Sequence, residues 1–147
     1  MPINSTQTAQ PSNWALLFAC WLIASVSTLG SLFFSEVMGY APCILCWYQR
    51  IFMYPLVILL PIGMFPFDRN VVRYTAPLSA IGTLIAVFQL LLVAGYIPES
   101  IKPCTQGIPC SEVNIQWFGF VTIPLLSALS FLFITVLLIL THVRSSK

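Results

Sequence analysis

Two cysteine pairs are the residues of this 147-residue chain best suited to chemistry. Cys43 and Cys46 form a C-x-x-C, Cys104 and Cys110 form a C-x5-C, and a fifth cysteine, Cys20, stands apart. Closely spaced cysteines tie a fold, hold a metal or exchange electrons. In the stretch Tyr40-Ala41-Pro42-Cys43-Ile44-Leu45-Cys46-Trp47-Tyr48-Gln49-Arg50, Pro42 suits a helix start. Cys43 and Cys46, three apart, then share one face of the first turn. Helix N-terminal amides and the macrodipole favour a thiolate there, which is both a nucleophile and a leaving group. The spacing therefore predicts a redox pair rather than an inert clasp.

Arg50 adds to that reading. It is the one charge between Val37 and Phe67. It follows Cys46 at i+4, so it shares the face of the pair and sits about 6 Å deeper. An arginine at that depth is costly unless it is paired or reaches the headgroups. On the cysteine face it is a candidate donor, holding a carbonyl-bearing or anionic species against the Cys46 sulfur. The second pair lies among Pro103, Gly107 and Pro109, which make an exposed, turn-rich loop. A Cys104–Cys110 bond closes a small ring and adds little stability. Such a bond is labile, and it reads as an exchange partner for another protein rather than as a loop clip. Cys20 lies mid-span and reads as a small apolar residue. His142, the single histidine, lies at the far end of the chain and is a poor candidate for acid–base or metal work.

The elements that must position these residues follow from the charges. Six Lys/Arg and four Asp/Glu make 7% of the chain, and 59% is hydrophobic. A soluble domain carries about 25% charged residues. A water-soluble globule, a disordered tail and a nucleic-acid binder are excluded. Residues 1–35, 51–67, 74–98 and 113–143 contain no Asp, Glu, Lys or Arg. A membrane helix needs about 20 apolar residues. The expectation is therefore an all-α, four-helix transmembrane bundle, with spans near 14–34, 46–65, 74–95 and 116–140. It forms one integral domain over 1–147. The first span lacks the basic flank of a signal peptide and reads as an anchor. Pro55, Pro61 and Pro124 fall inside these spans, where they are expected to kink helices.

Arg69 and Arg73 lie between spans two and three, and Arg144 and Lys147 lie in the tail. The opposite connections hold only Lys102 with Glu36, Glu99 and Glu112. The positive-inside rule then puts both termini in the cytoplasm and both cysteine pairs outside. Outside is where disulfides persist, and the charges alone led there. Trp14, Phe67 and Tyr74 would form an inner aromatic belt, and Tyr40, Trp47, Tyr96 and Trp117 an outer one.

The motif Cys43-Ile44-Leu45-Cys46-Trp47-Tyr48-Gln49-Arg50 resembles the signature of the DsbB family of membrane thiol oxidases. The short second loop, with Lys102-Pro103-Cys104, Pro109-Cys110-Ser111 and Trp117-Phe118-Gly119-Phe120, is most similar to the BdbC branch from Gram-positive bacteria. The resemblance runs from about residue 14 to 140. It implies a bacterial cell-membrane protein, in contact with lipid, that re-oxidises a soluble or lipid-anchored thioredoxin-like oxidase outside the cytoplasm. It also implies that Cys104 forms the mixed disulfide with that partner, with Cys110 as its mate. Electrons would pass to Cys43–Cys46, and Cys46 and Arg50 would face a quinone of menaquinone or ubiquinone type. Quinone reduction takes up protons, and Glu36 and Glu112 are candidates for supplying them. The proteobacterial members carry a longer second loop, so the route of exchange between the pairs is open.

Other readings compete. Vitamin K epoxide reductase-like proteins also combine four spans, two cysteine pairs and a quinone, but there the C-x-x-C lies late in the chain. Four thiolates on one side of a membrane also suffice to hold Zn²⁺. A small multidrug-type transporter would want an acidic residue inside a span, and all four acids here lie in or beside connections.

Overall fold

The computed structural model describes residues 11–65, 67–68, 70–98, 116–117 and 121–146. Helix α1 runs Pro11–Leu32 and continues as a π-helical turn, Phe33–Val37. Helices α2 (Ile44–Met64), α3 (Asn70–Val93) and α4 (Ile123–Ser146) follow. A two-residue ribbon pairs β1 (Gln116–Trp117) antiparallel to β2 (Val121–Thr122) ahead of α4. All four helices are long and apolar enough to cross a membrane. The shortest has 21 residues, which at 1.5 Å per residue spans the ~30 Å hydrocarbon layer.

The helices close into a ring, α1 against α2, α2 against α3, α3 against α4, and α4 back against α1. Leu17, Cys20 and Ala24 of α1 meet Leu56 and Leu60 of α2, Ala86 of α3, and Phe131, Ile134 and Leu138 of α4 in the core. Ile58, Leu84 and Phe133 face outward, as lipid requires. Lipid removes the hydrophobic drive between helices, so close approach and interhelical hydrogen bonds must hold them. Both are present between α3 and α4. The Phe131 ring packs where a Cβ on Gly82 would stand, and Ser79 Oγ lies 2.7 Å from Thr135 Oγ1. Cys20 is fully buried with its thiol 3.9 Å from the Ile134 carbonyl, in the apolar role expected of it. At the end shared by the start of α1 and the end of α4, Arg144 Nη1 donates to Ser12 Oγ at 2.8 Å. Trp14 stacks on Phe18 at that end, with centroids 5.3 Å apart. His142 is exposed there.

The helix bounds depart from the expected spans at several ends, α3 beginning at Asn70 rather than 74 and α4 running on to Ser146 rather than 140, and two departures bear on the site. The fourth span starts at Ile123, not 116, because the ribbon occupies that stretch and Thr122 caps the helix, accepting the Leu125 N–H at 3.4 Å. Pro124 therefore sits in the first turn, where its missing N–H has no helical partner to lose, and it does not kink a span. Pro55 and Pro61 do lie inside α2, as does Pro77 inside α3. At the other site-bearing end, α2 begins at Ile44, so Cys43 is the cap and Pro42 precedes the helix instead of starting it.

Candidate active site

The chain turns back after α1 through Gly39, whose φ of +69° favours a residue without a side chain. Tyr40 N–H closes onto the Phe34 carbonyl at 3.1 Å, and the chain then runs into α2. Cys43 has the extended backbone of an N-cap (φ −69°, ψ 168°), and its sulfur accepts the Cys46 N–H at 3.4 Å. A cap serves the N–H three residues on, so capping itself holds one cysteine over the other. The two sulfurs lie 2.8 Å apart. The expected sharing of one face by Cys43 and Cys46 is thus realised, with both cysteines in the free form. The hydrogen bond with the Cys46 sulfur, and after it burial, holds the Cys43 thiol well above its ordinary pKa. Cys43 keeps its proton.

Arg50 lies one turn deeper and is 9% exposed. It is paired within the bundle. Its Nε donates to Ser31 Oγ and its Nη2 to the Ser31 carbonyl, both at 2.8 Å. Its guanidinium lies 5.4 Å from the centre of the Trp47 ring. The cation is therefore fixed between α1 and α2, in the wall that also carries Cys46.

Three polar residues that the sequence reading passed over complete the arrangement. Ser127 of α4 donates to Gln49 Oε1 at 2.5 Å, and Gln49 Nε2 donates to Gln89 Oε1 of α3 at 2.6 Å. Gln89 Nε2 then faces both sulfurs, 3.4 Å from Cys46 and 3.5 Å from Cys43. Gln49 and Gln89 are buried at 7% and 2% exposure. A signal for Gln49 was available, since it follows Cys46 at i+3 and so shares its face.

These groups border a cavity of about 350 Å³. α1 contributes Ser27, Thr28 and Ser31, α2 contributes Cys46, Gln49 and Arg50, and α4 contributes Pro124 and Ser127. That volume is of the order of small-molecule sites, which are mostly apolar with a few placed donors. Thr28 Oγ1 is buried and has no hydrogen-bond partner among the described residues. A buried hydroxyl of this kind calls for a partner, and a carbonyl-bearing ligand in the cavity would provide one. The residues present therefore fit a quinone, with an apolar chamber, one charged donor, one unpartnered hydroxyl and a cysteine sulfur in its wall.

Cys104, Cys110 and Glu112 lie outside the described residues. Glu36 is exposed and accepts a hydrogen bond from Ser35 at 3.3 Å. Among the described residues no three His, Cys, Asp or Glu side chains gather as metal ligands would.

Comparison with known proteins supplies the family. Residues 12–141 match the model of the family described as disulfide bond formation protein DsbB. The chain is 46% identical to a probable disulfide formation protein of Metapseudomonas resinovorans, covering 93% of this chain and 97% of the relative. It is also 46% identical to disulfide bond formation protein C of Bacillus subtilis, covering 89% and 95%. A probable disulfide formation protein of Coxiella burnetii is 44% identical over 92% of both chains. The likeness is therefore not confined to Bacillus. No solved structure matches the chain. A family match over nearly the whole chain, and relatives of nearly the same length, place this four-span membrane oxidoreductase in the DsbB family of disulfide bond formation proteins.

Proposed function

We propose that this DsbB-family protein is a thiol:quinone oxidoreductase, a single integral domain over 1–147 with both termini cytoplasmic and both cysteine pairs outside. Its substrate is the reduced form of a soluble or lipid-anchored thioredoxin-like oxidase. Cys104 takes up the partner's thiol in a mixed disulfide. Cys110, its mate, leaves as a thiolate, and the partner's second thiol then displaces Cys104, so the partner leaves oxidised and the loop pair is left as a dithiol. Exchange with the Cys43–Cys46 disulfide passes those two electrons inward and restores the loop disulfide. A bound quinone supplies an acceptor for two electrons and two protons. Cys46 and Arg50 would hold it, the sulfur as the electron donor and the guanidinium as the donor to a carbonyl oxygen. Ser31 fixes the Arg50 guanidinium in the cavity wall, and the apolar lining excludes water.

The observation that carries this reading is the placing of Cys46 and Arg50 in one apolar cavity, with the Cys43 sulfur 2.8 Å from that of Cys46. A membrane acceptor also suits the energetics. A strongly oxidising partner near −120 mV is not efficiently recharged by a glutathione pool near −200 mV. To test the reading, the purified protein is mixed with reduced thioredoxin-like oxidase and a quinone, and quinone absorbance is followed. The wild type turns over and Cys46→Ser does not. A Cys46→Ser variant that reduces quinone at the normal rate would reject the assignment.

A further inference from the structure

We propose that Gln89 is a positioning residue for the Cys43–Cys46 pair, its side-chain amide being aimed at the Cys46 sulfur by Gln49 and Ser127 so that it stabilises the opened, reduced pair. This rests on the pair being redox-active, as argued above.

The direction of the chain carries the inference. The Ser127 hydroxyl occupies Gln49 Oε1, and Gln49 Nε2 occupies Gln89 Oε1. With both amide oxygens engaged as acceptors, each amide turns its NH₂ onward, and the last one meets the two sulfurs. The chain crosses from α4 through α2 to α3, so three helices set the aim of a single donor. Gln89 is 2% exposed. An amide buried in an apolar span is costly without partners, and sulfur is the partner of its NH₂. A disulfide or thiol sulfur accepts a hydrogen bond weakly, whereas a thiolate accepts strongly. An amide donor here therefore favours the opened pair over the closed one.

The step it acts on is ordinary exchange. An incoming thiolate of the loop pair attacks the Cys43 sulfur, a new S–S bond forms, and the Cys43–Cys46 bond breaks. The electron pair of the broken bond leaves on Cys46 as a thiolate, which the Gln89 amide receives. The second loop thiol then displaces Cys43, so two electrons have passed inward and the loop pair is a disulfide again. In this account Gln89 sets how oxidising the Cys43–Cys46 disulfide is; because it also lines the cavity beside Cys46 and Arg50, its effect on the pair is read with quinone and partner left out.

The test is a redox titration of the full-length protein in detergent, without quinone or partner. A Cys104→Ala, Cys110→Ala background leaves Cys43–Cys46 as the pair that titrates against dithiothreitol. Gln89→Met keeps the shape and removes the donor. It is expected to move the equilibrium constant about tenfold or more toward the disulfide, the order expected for a charge-assisted bond, which is a potential lower by about 30 mV. Gln49→Leu and Ser127→Ala should move it the same way by less, and should add nothing in the Gln89→Met background. Should Gln89→Met fail to fold, Ser127→Ala, at the far end of the chain, gives the same directional readout. A Gln89→Met or Ser127→Ala constant within twofold of wild type overturns the inference. So does a Ser127→Ala shift that persists undiminished without the Gln89 amide. If the pair forms no disulfide in the wild type, the redox reading and this inference fall together. If the wild type reduces no quinone yet the Gln89→Met shift is present, the quinone reading fails and this inference stands.

Discussion

Arg50→Ala separates an arginine that serves a ligand from one that merely braces two helices. The side chain makes two 2.8 Å hydrogen bonds to Ser31 and lies over Trp47. Each hydrogen bond from a charged group contributes about 1.5–3 kcal/mol, and a partly desolvated cation–π contact about 1 kcal/mol. Against these stands the cost of an arginine within a span, about 2.5–3.5 kcal/mol on insertion scales. Removing the whole side chain loses the bonds and the cost together. The net loss of stability is therefore well below the sum of the contacts, about 0.5–4.5 kcal/mol. The effect on a bound quinone carries no such offset. Losing one charge-assisted bond to a carbonyl oxygen weakens binding by about 1.5–3 kcal/mol, or about 10- to 150-fold. Quinone titrations at saturating reduced partner should show that rise in apparent KM, with much of the rate recovered at high quinone. Ser31→Ala, which removes one of the two anchors but keeps the charge, should show a smaller rise. A folded Arg50→Ala protein with unchanged apparent quinone affinity refutes the reasoning and leaves Arg50 as a brace.

Three further outcomes are expected. Gly82→Ala places a Cβ against the fully buried Phe131 ring, so thermal unfolding in detergent should show a loss of about 1–3 kcal/mol, and an unchanged Tm would mean that the α3–α4 contact is loose. Because the Cys43 thiol is held above its ordinary pKa, it stays protonated at neutral pH and only its thiolate reacts. Iodoacetamide should then modify reduced Cys43 slowly, with a rate still climbing as pH passes the ordinary thiol range near 8.5. Mass-spectrometric mapping that finds Cys43 fully alkylated at neutral pH contradicts this. Membrane-impermeant maleimide on intact cells should label Cys104 and Cys110 after reduction, whereas a cysteine introduced at Ser145 should react only after lysis; the reverse pattern inverts the orientation.

The four helices were legible because charge is nearly excluded from lipid, so the long uncharged stretches before Glu36, from Arg50 to Asp68, from Arg73 to Glu99 and from Glu112 to Arg144 mark the spans almost directly. The start of the fourth was not. Gln116 to Thr122 is as uncharged as the helix that follows, and hydropathy does not separate a short ribbon from the first turns of a span. The placing of Cys43, Cys46 and Arg50 on one face followed from helical spacing alone. Arg50's partner did not, because Ser31 belongs to another helix and only packing brings it near. The same holds for Gln89 and Ser127. An uncharged amide or hydroxyl barely lowers the hydropathy of a span, and its hydrogen-bond partner is set by tertiary contact rather than by spacing.

The most direct measurement is a single turnover without the partner protein. The Cys104→Ala, Cys110→Ala protein is fully reduced, freed of reductant and mixed with excess quinone, and quinol is counted against protein. The account predicts one quinol formed per Cys43–Cys46 disulfide gained, and none in the same background with Cys46→Ser. Quinol formation that survives Cys46→Ser, or a Cys43–Cys46 dithiol that stays reduced in the presence of quinone, would contradict it.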